Sequence, residues 1–214
     1  MKEVLIIGAN RGIGLGLAKR FSEAGDRVTA TARKPRDASE LREVVGADAV
    51  LSFEVRDETA LGALEARFEG VALDVLIHNA GVYTASRSDL MQVNAEAPIR
   101  VCERFLPHVA DAGGHMILVT SQLGARRGKS GSLGNYGDSK AALNDRFRER
   151  CPDWQRCGVT AVVLHPGWVR TDMGGENAAI SVEESADGIF SVSRAMTPGD
   201  HGRFLTWRGE DHPW

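Results

Sequence analysis

The sequence of 214 residues predicts an α/β fold: a doubly wound parallel sheet of about seven strands with helices on both faces. Three observations predict it. Short apolar runs rich in branched residues recur along the chain and are bounded by Gly, Asn or Pro, as in strands buried on both faces. Amphipathic stretches lie between these runs, so strand and helix alternate. A glycine-rich turn, "GANRGIG" (Gly8–Gly14), follows the first run at once and opens the first amphipathic stretch.

The strands read, in order, as "VLIIG" (Val4–Gly8), "RVTATA" (Arg27–Ala32), "AVLSFEV" (Ala49–Val55), "LDVLIHNAG" (Leu73–Gly81), "HMILVTS" (His115–Ser121), "VTAVVLHPG" (Val159–Gly167) and "GRFLTW" (Gly202–Trp207). Residues 12–24 carry Ile13, Leu17, Ala18 and Phe21 on one stripe, and residues 88–110 carry Leu90, Val93, Ala97, Val101, Phe105 and Val109. Both patterns have helical period. Residues 59–68 and 137–151 read as further helices, and Pro152 is expected to interrupt the latter because proline removes a helical donor. "SVEESADGIF" opens with Ser181 and Glu184 at capping-box spacing. With no linker, repeat or low-complexity tract in view, one domain over residues 1–214 is the expectation.

Composition narrows the function. A net charge of −3 gives no basis for a nucleic-acid or membrane-surface partner. No run of about 20 apolar residues and no signal peptide is present, so a cytoplasmic location is expected. The three cysteines, Cys102, Cys151 and Cys157, lack CxxC spacing and read as reduced structural thiols. The histidines form no HExxH and no ligand cluster, so no metal site is expected.

The glycine turn suggests a dinucleotide. Gly8, Gly12 and Gly14, with Asn10, Arg11 and Ile13 between them, sit where a strand meets a helix N-terminus. Glycine lets backbone approach a pyrophosphate, and the free N–H groups of the helix face the anion. The second strand ends in "TARKPR", with Arg33 and Lys34 and no acid before Asp37. Arg11 and Arg33 would attract a ribose 2′-phosphate, which favours NADP(H) over NAD(H).

The reactive pair lies in "NYGDSK". Tyr136 and Lys140 are four residues apart and share one helical face. An ammonium near a phenol is expected to lower the phenol pKa and make Tyr136 a general acid for a developing alkoxide. Ser121 closes the fifth strand, at the end of a parallel sheet where ligands bind, and its hydroxyl could hold a substrate carbonyl.

With these pieces in place, the sequence resembles the short-chain dehydrogenase/reductase family. The matching motifs are "GANRGIG", "NAG", "VN", "TSQLG", "YGDSK" and "HPGWVRT", in the family's order and across essentially the whole chain. "HPGWVRTDMGG", "SVEES" and the ending "GRFLTWRGEDHPW" look like its small C-factor and sniffer-like carbonyl reductase branch. The resemblance implies a Rossmann-like fold and a catalytic tetrad of Asn94, Ser121, Tyr136 and Lys140. Tyr136 would protonate a carbonyl as hydride arrives, Ser121 would orient it, Lys140 would hold the nicotinamide ribose and Asn94 would help hold a relay water. It also implies that Asn79, Ala80 and Gly81 line the adenosine side. Pro166 and Gly167 would turn beside the nicotinamide, Val169 would meet its carboxamide and Thr171 would lie near the phosphates. The implied activity is reduction of a ketone, aldehyde or quinone, with a small-molecule carbonyl as partner and either a monomer or a homodimer as the assembly.

The chain departs from the family pattern in places. Glu54, followed by Val55, stands where an aspartate usually meets adenine, and His78 replaces the first residue of the usual NNAG. The spacing from Ser121 to Tyr136 is longer than usual and contains Arg126, Arg127 and Lys129, either solvated charge or contacts for an anionic substrate. "GARRGKS" has too few residues between its glycines for a phosphate-binding P-loop, and no GxSxG elbow surrounds Ser121 for a hydrolase. The short "MGGENAAIS" segment suggests an open, poorly selective pocket. A redox sensor that binds NADP(H) without turnover is the rival reading, and the complete tetrad weighs against it.

Overall fold

The computed structural model describes residues 1–83, 85–126 and 134–214. Its seven strands are β1 (Glu3–Ile7), β2 (Arg27–Ala32), β3 (Val50–Ser52), β4 (Val75–His78), β5 (His115–Val119), β6 (Thr160–His165) and β7 (Phe204–Thr206). They form one sheet in the order β3-β2-β1-β4-β5-β6-β7, with every pairing parallel. The chain reverses its direction of travel between β1 and β4, so the crevice beyond their carboxyl ends is where a ligand would bind in such a sheet.

Among the described residues, seven α-helices cover the faces: α1 (Gly12–Glu23), α2 (Ser39–Val45), α3 (Glu58–Ala66), α4 (Arg87–Met91), α5 (Ala97–Asp111), α6 (Gly134–Arg156) and α7 (Val182–Ala195). Alternation along each strand divides the core. Val4 and Ile6 of β1 pack with Leu17 and Phe21 of α1, Leu41 of α2 and Ile189 of α7. Leu5 and Ile7 pack toward Leu61 of α3, Phe105 of α5 and Phe147 of α6. These side chains are almost fully buried, so the two apolar layers hold the sheet between the helices.

Two expectations about helices need correction, and two features were not foreseen. The stretch 88–110 is interrupted: α4 gives way to a π-helical segment, Gln92–Glu96, before α5 begins. Apolar spacing cannot register such a local insertion, and insertions of this type often mark functional positions. Pro152 does not end α6, which continues to Arg156. Proline cannot serve the Arg148 carbonyl one turn back, and the Cys151 thiol reaches that carbonyl instead, at 3.8 Å. Pro107 is likewise inside α5. α2 was not foreseen because it is only seven residues long and buries Leu41 alone. The capping box formed by Ser181 and Glu184 is present at the start of α7.

Candidate active site

The glycine turn is built by close approach. Gly8 has φ of 81° and donates its N–H to Thr31 Oγ1 at 3.0 Å. A Cβ on Gly8 would stand 2.7 Å from the Ala80 Cα, and one on Gly14 would stand 2.2 Å from the Gly8 carbonyl oxygen. Asn79 donates its Nδ2 to that same oxygen at 2.7 Å. Asn79 and Ala80 thus brace the turn from the end of β4.

The helix behind the turn is left open. Arg11 at the N-cap of α1 makes no capping bond through its side chain, and the first turn contains no acid. Its unpaired N–H groups and positive end are available to an anion.

A cleft of about 600 Å³ runs across the carboxyl ends of the strands. Gly8, Asn10, Arg11, Gly12, Ile13 and Thr171 line its middle; Arg33, Glu54 and Val55 line one end; Asn79, Ala80 and Gly81 line the wall. Tyr136, Lys140 and Pro166 line the other end. Gly14, Asn94, Ser121, Gly167 and Val169 are not among its lining residues.

The two cations expected near a phosphate differ. Arg11 is already paired, its Nη1 lying 2.7 Å from Asp172 Oδ2 across the cleft, with both side chains exposed. Arg33 has no ion-pair partner among the described residues and is the freer charge. At the same end, Glu54 takes Arg56 Nε at 3.2 Å, and Arg56 continues to Asp89 at 2.9 Å.

At the opposite end, Tyr136 and Lys140 lie on one face of α6, as their spacing predicts. Ser121 Oγ accepts the Leu123 N–H at 3.2 Å, and the Ser121 hydroxyl lies close enough to the Tyr136 phenol to act on its pKa. Lys140 is buried and donates to the Val119 carbonyl at 2.9 Å. Burial lowers its pKa to about 8.

The expected effect of Lys140 on Tyr136 is not what the structure shows. The phenol pKa is raised to about 12, chiefly by burial. The Ser121 hydroxyl works against the rise and the neighbouring Tyr83 adds to it. The ammonium is turned to Val119, so desolvation decides the outcome.

Asn94 lies in the π-helical segment with its amide fully engaged. Its Nδ2 donates to Val82 O at 2.8 Å and to Ser139 Oγ at 3.0 Å, and its Oδ1 accepts from Val82 N at 2.9 Å. The side-chain donors are therefore used to tie the loop after β4 to α6. Gly167, with φ of 91°, leaves room for Ile180, whose Cδ1 would be 2.4 Å from a Cβ. Val169 O accepts from Thr171 Oγ1 at 3.3 Å, so the loop after β6 is internally braced.

Tyr83 is the neighbour that sequence reading missed. Its ring meets Tyr136 edge-on, with centroids 4.9 Å apart. Nothing in the periodicity of an irregular loop marks it. Arg126 is held by Asp145, at 3.0 Å to Nε, and so reads as a surface pair. Arg127 and Lys129 lie outside the described residues.

Comparison with known proteins bears on the family and the fold. A family model described as short chain dehydrogenase matches residues 2–180. C-signal of Myxococcus xanthus is 35% identical over 154 residues, which is 66% of this chain and 93% of that protein. The crystal structure of NADPH-bound carbonyl reductase from chicken fatty liver superposes with a TM-score of 0.91 at 31% identity, covering 100% of this chain and 99% of that one. Carbonyl reductase Sniffer of D. melanogaster gives a TM-score of 0.91 at 29% identity, with 100% of both chains covered.

Proposed function

The chain belongs to the short-chain dehydrogenase family of oxidoreductases, and on that premise we propose that it uses NADP(H) to reduce the carbonyl of a ketone, aldehyde or quinone to the alcohol. The observation that carries the reading is one cleft with a dinucleotide cradle and Arg33 at one side and Tyr136 with Lys140 at the other. The cradle fits the cofactor because the close approaches at Gly8 and Gly14 leave α1's N–H groups bare. Those groups and the turn would hold the pyrophosphate, Arg33 the 2′-phosphate, and Lys140 the ribose next to the reactive ring. NADPH, when bound, supplies the hydride to the carbonyl carbon.

The proton comes from Tyr136. With its pKa raised to about 12, the phenol is fully protonated at neutral pH, the form that carbonyl reduction requires. It donates a hydrogen bond to the carbonyl oxygen and passes its proton as that oxygen gains charge, leaving alcohol and phenolate. Ser121, close enough to the phenol to act on its pKa, orients the same oxygen. Lys140 carries the positive charge that offsets the phenolate, once the ammonium turns from Val119 toward it. The reverse reaction starts from phenolate, so alcohol oxidation should gain rate as the pH rises toward the phenol pKa.

Fluorescence titration with NADPH and NADH, followed by a carbonyl panel read by loss of reduced nicotinamide, tests this reading. NADPH should bind at least about tenfold more tightly, and Arg33→Ala should erase the difference. A preference for NADH contradicts the cofactor assignment. NADPH binding with no turnover of any carbonyl contradicts the reaction and leaves a sensing role.

A further inference from the structure

His78 closes β4, and nothing in the proposed reaction uses it. Leu76 packs on the layer covered by α3, α5 and α6, whereas Ile77 packs on the opposite one. Two-residue alternation therefore turns His78 toward the face from which Lys140 descends. The ring is buried, and its Nε2 has no hydrogen-bond partner. Of the two ring nitrogens only Nε2 is orphaned, and only Nδ1 can face the residue's own backbone carbonyl, which acts to raise the ring pKa. A proton on Nδ1, facing that carbonyl, leaves a bare lone pair on Nε2.

Lys140 offers the complement. An ammonium has three donors, and here one of them is engaged, by the Val119 carbonyl. Val119 follows Leu118, the residue paired with His78 between β4 and β5. The carbonyl that holds the ammonium and the imidazole therefore end adjacent strands. Gly81 lies against this corner, where a Cβ would stand 3.2 Å from Asn94 Oδ1 and 3.6 Å from Lys140 Nζ. Burial and, after it, the charge of Lys140 hold the His78 pKa down to about 3, so the ring is neutral.

We propose that His78 is a positioning residue for Lys140: its Nε2 receives one of the two ammonium protons that Val119 leaves free, through one bridging water. The exchange satisfies a buried acceptor and a buried donor together, where either alone would be costly. A carboxylate in this place would cancel the charge of the ammonium. A neutral imidazole steadies the ammonium and leaves its charge to act on the cofactor sugar and the phenol. The other titratable groups at this corner are Tyr136 on α6 and Tyr83 packed against it; Asn94 from the π-helical segment and Val119 from β5 bring no charge.

Only the kinetic part of the test rests on the proposed carbonyl reduction. Nitrogen NMR of the full chain with 15N-labelled histidine reads the pair without turnover. The wild type should show His78 neutral at pH 7, with its proton on Nδ1. Lys140→Met should move the Nε2 resonance and let the ring protonate at higher pH. A proton on Nε2 in the wild type, or a His78 signal indifferent to Lys140→Met, overturns the proposal. In turnover, His78→Leu should lower kcat about tenfold with the carbonyl KM little changed, and His78→Asn, which restores an acceptor, should recover most of it. Equal kcat for the Leu and Asn variants also overturns it. If no carbonyl is turned over at all, the function reading fails while the NMR result still decides this one.

Discussion

Replacing Lys140 by Met should make the folded chain more stable at neutral pH even as it removes a group proposed to be essential. Burial lowers the lysine pKa from 10.5 to about 8. At about 1.4 kcal/mol per pH unit, holding that ammonium inside the fold costs roughly 3 kcal/mol. The sign follows from proton counts. Between pH 8 and 10.5 the unfolded chain keeps a proton that the folded chain has released, so wild-type stability climbs with pH across this window. Below the folded pKa the cost is present in full.

Met preserves most of the buried stem and removes the charge, but it leaves the Val119 carbonyl without its donor, at about 1–3 kcal/mol, while His78 Nε2, which loses its proposed donor, is free to take up a proton. The variant should therefore be about 0–2 kcal/mol more stable than wild type at pH 7, a rise in Tm of up to about 8 °C for a chain of this size. At pH 10.5 the advantage should be gone, with Met the less stable of the two. Paired denaturant melts at steps from pH 7 to 10.5 give the difference directly. A variant destabilised by more than about 2 kcal/mol at pH 7, or a difference that stays flat with pH, would refute the reasoning.

Two further substitutions probe the scaffold. Gly14→Ala places a Cβ 2.2 Å from the Gly8 carbonyl oxygen, which can yield only by distorting the turn; NADPH affinity, read by fluorescence, should fall about tenfold or more. Gly62→Ala in α3 is the matched control, because nothing lies within 4 Å of its Cβ, and melts should show a gain of about 0.5–1 kcal/mol. Ser181→Ala removes the bond that Ser181 Oγ accepts from Glu184 N at 3.1 Å; it should cost about 1 kcal/mol and lower Tm by about 2–4 °C without changing cofactor affinity.

The strands were legible because burial on both faces makes them continuous apolar runs, and β2 coincides with its sequence expectation at Arg27–Ala32. β3 is shorter than its apolar run because residues after Ser52 leave the sheet to form the cleft wall at Phe53–Val55. The pairing of Tyr136 with Lys140 was legible from a four-residue spacing, and the turn from its glycines. What spacing could not convey was orientation and solvation. Asp172 is distant in sequence and captures Arg11 only because the loop after β6 folds over the turn. Tyr83 reaches Tyr136 from an irregular loop. The Tyr136 pKa moved opposite to the sequence argument because that argument counted a nearby charge and could not weigh burial.

The central claim is that the Tyr136 hydroxyl delivers the proton in a cleft that binds NADPH independently of it. Tyr136→Phe, assayed for NADPH affinity and for carbonyl turnover in the same preparation, tests this directly. The account predicts affinity within about threefold of wild type and turnover reduced by about 10²–10⁴. Turnover that survives in Tyr136→Phe, with NADPH bound as before, would contradict it.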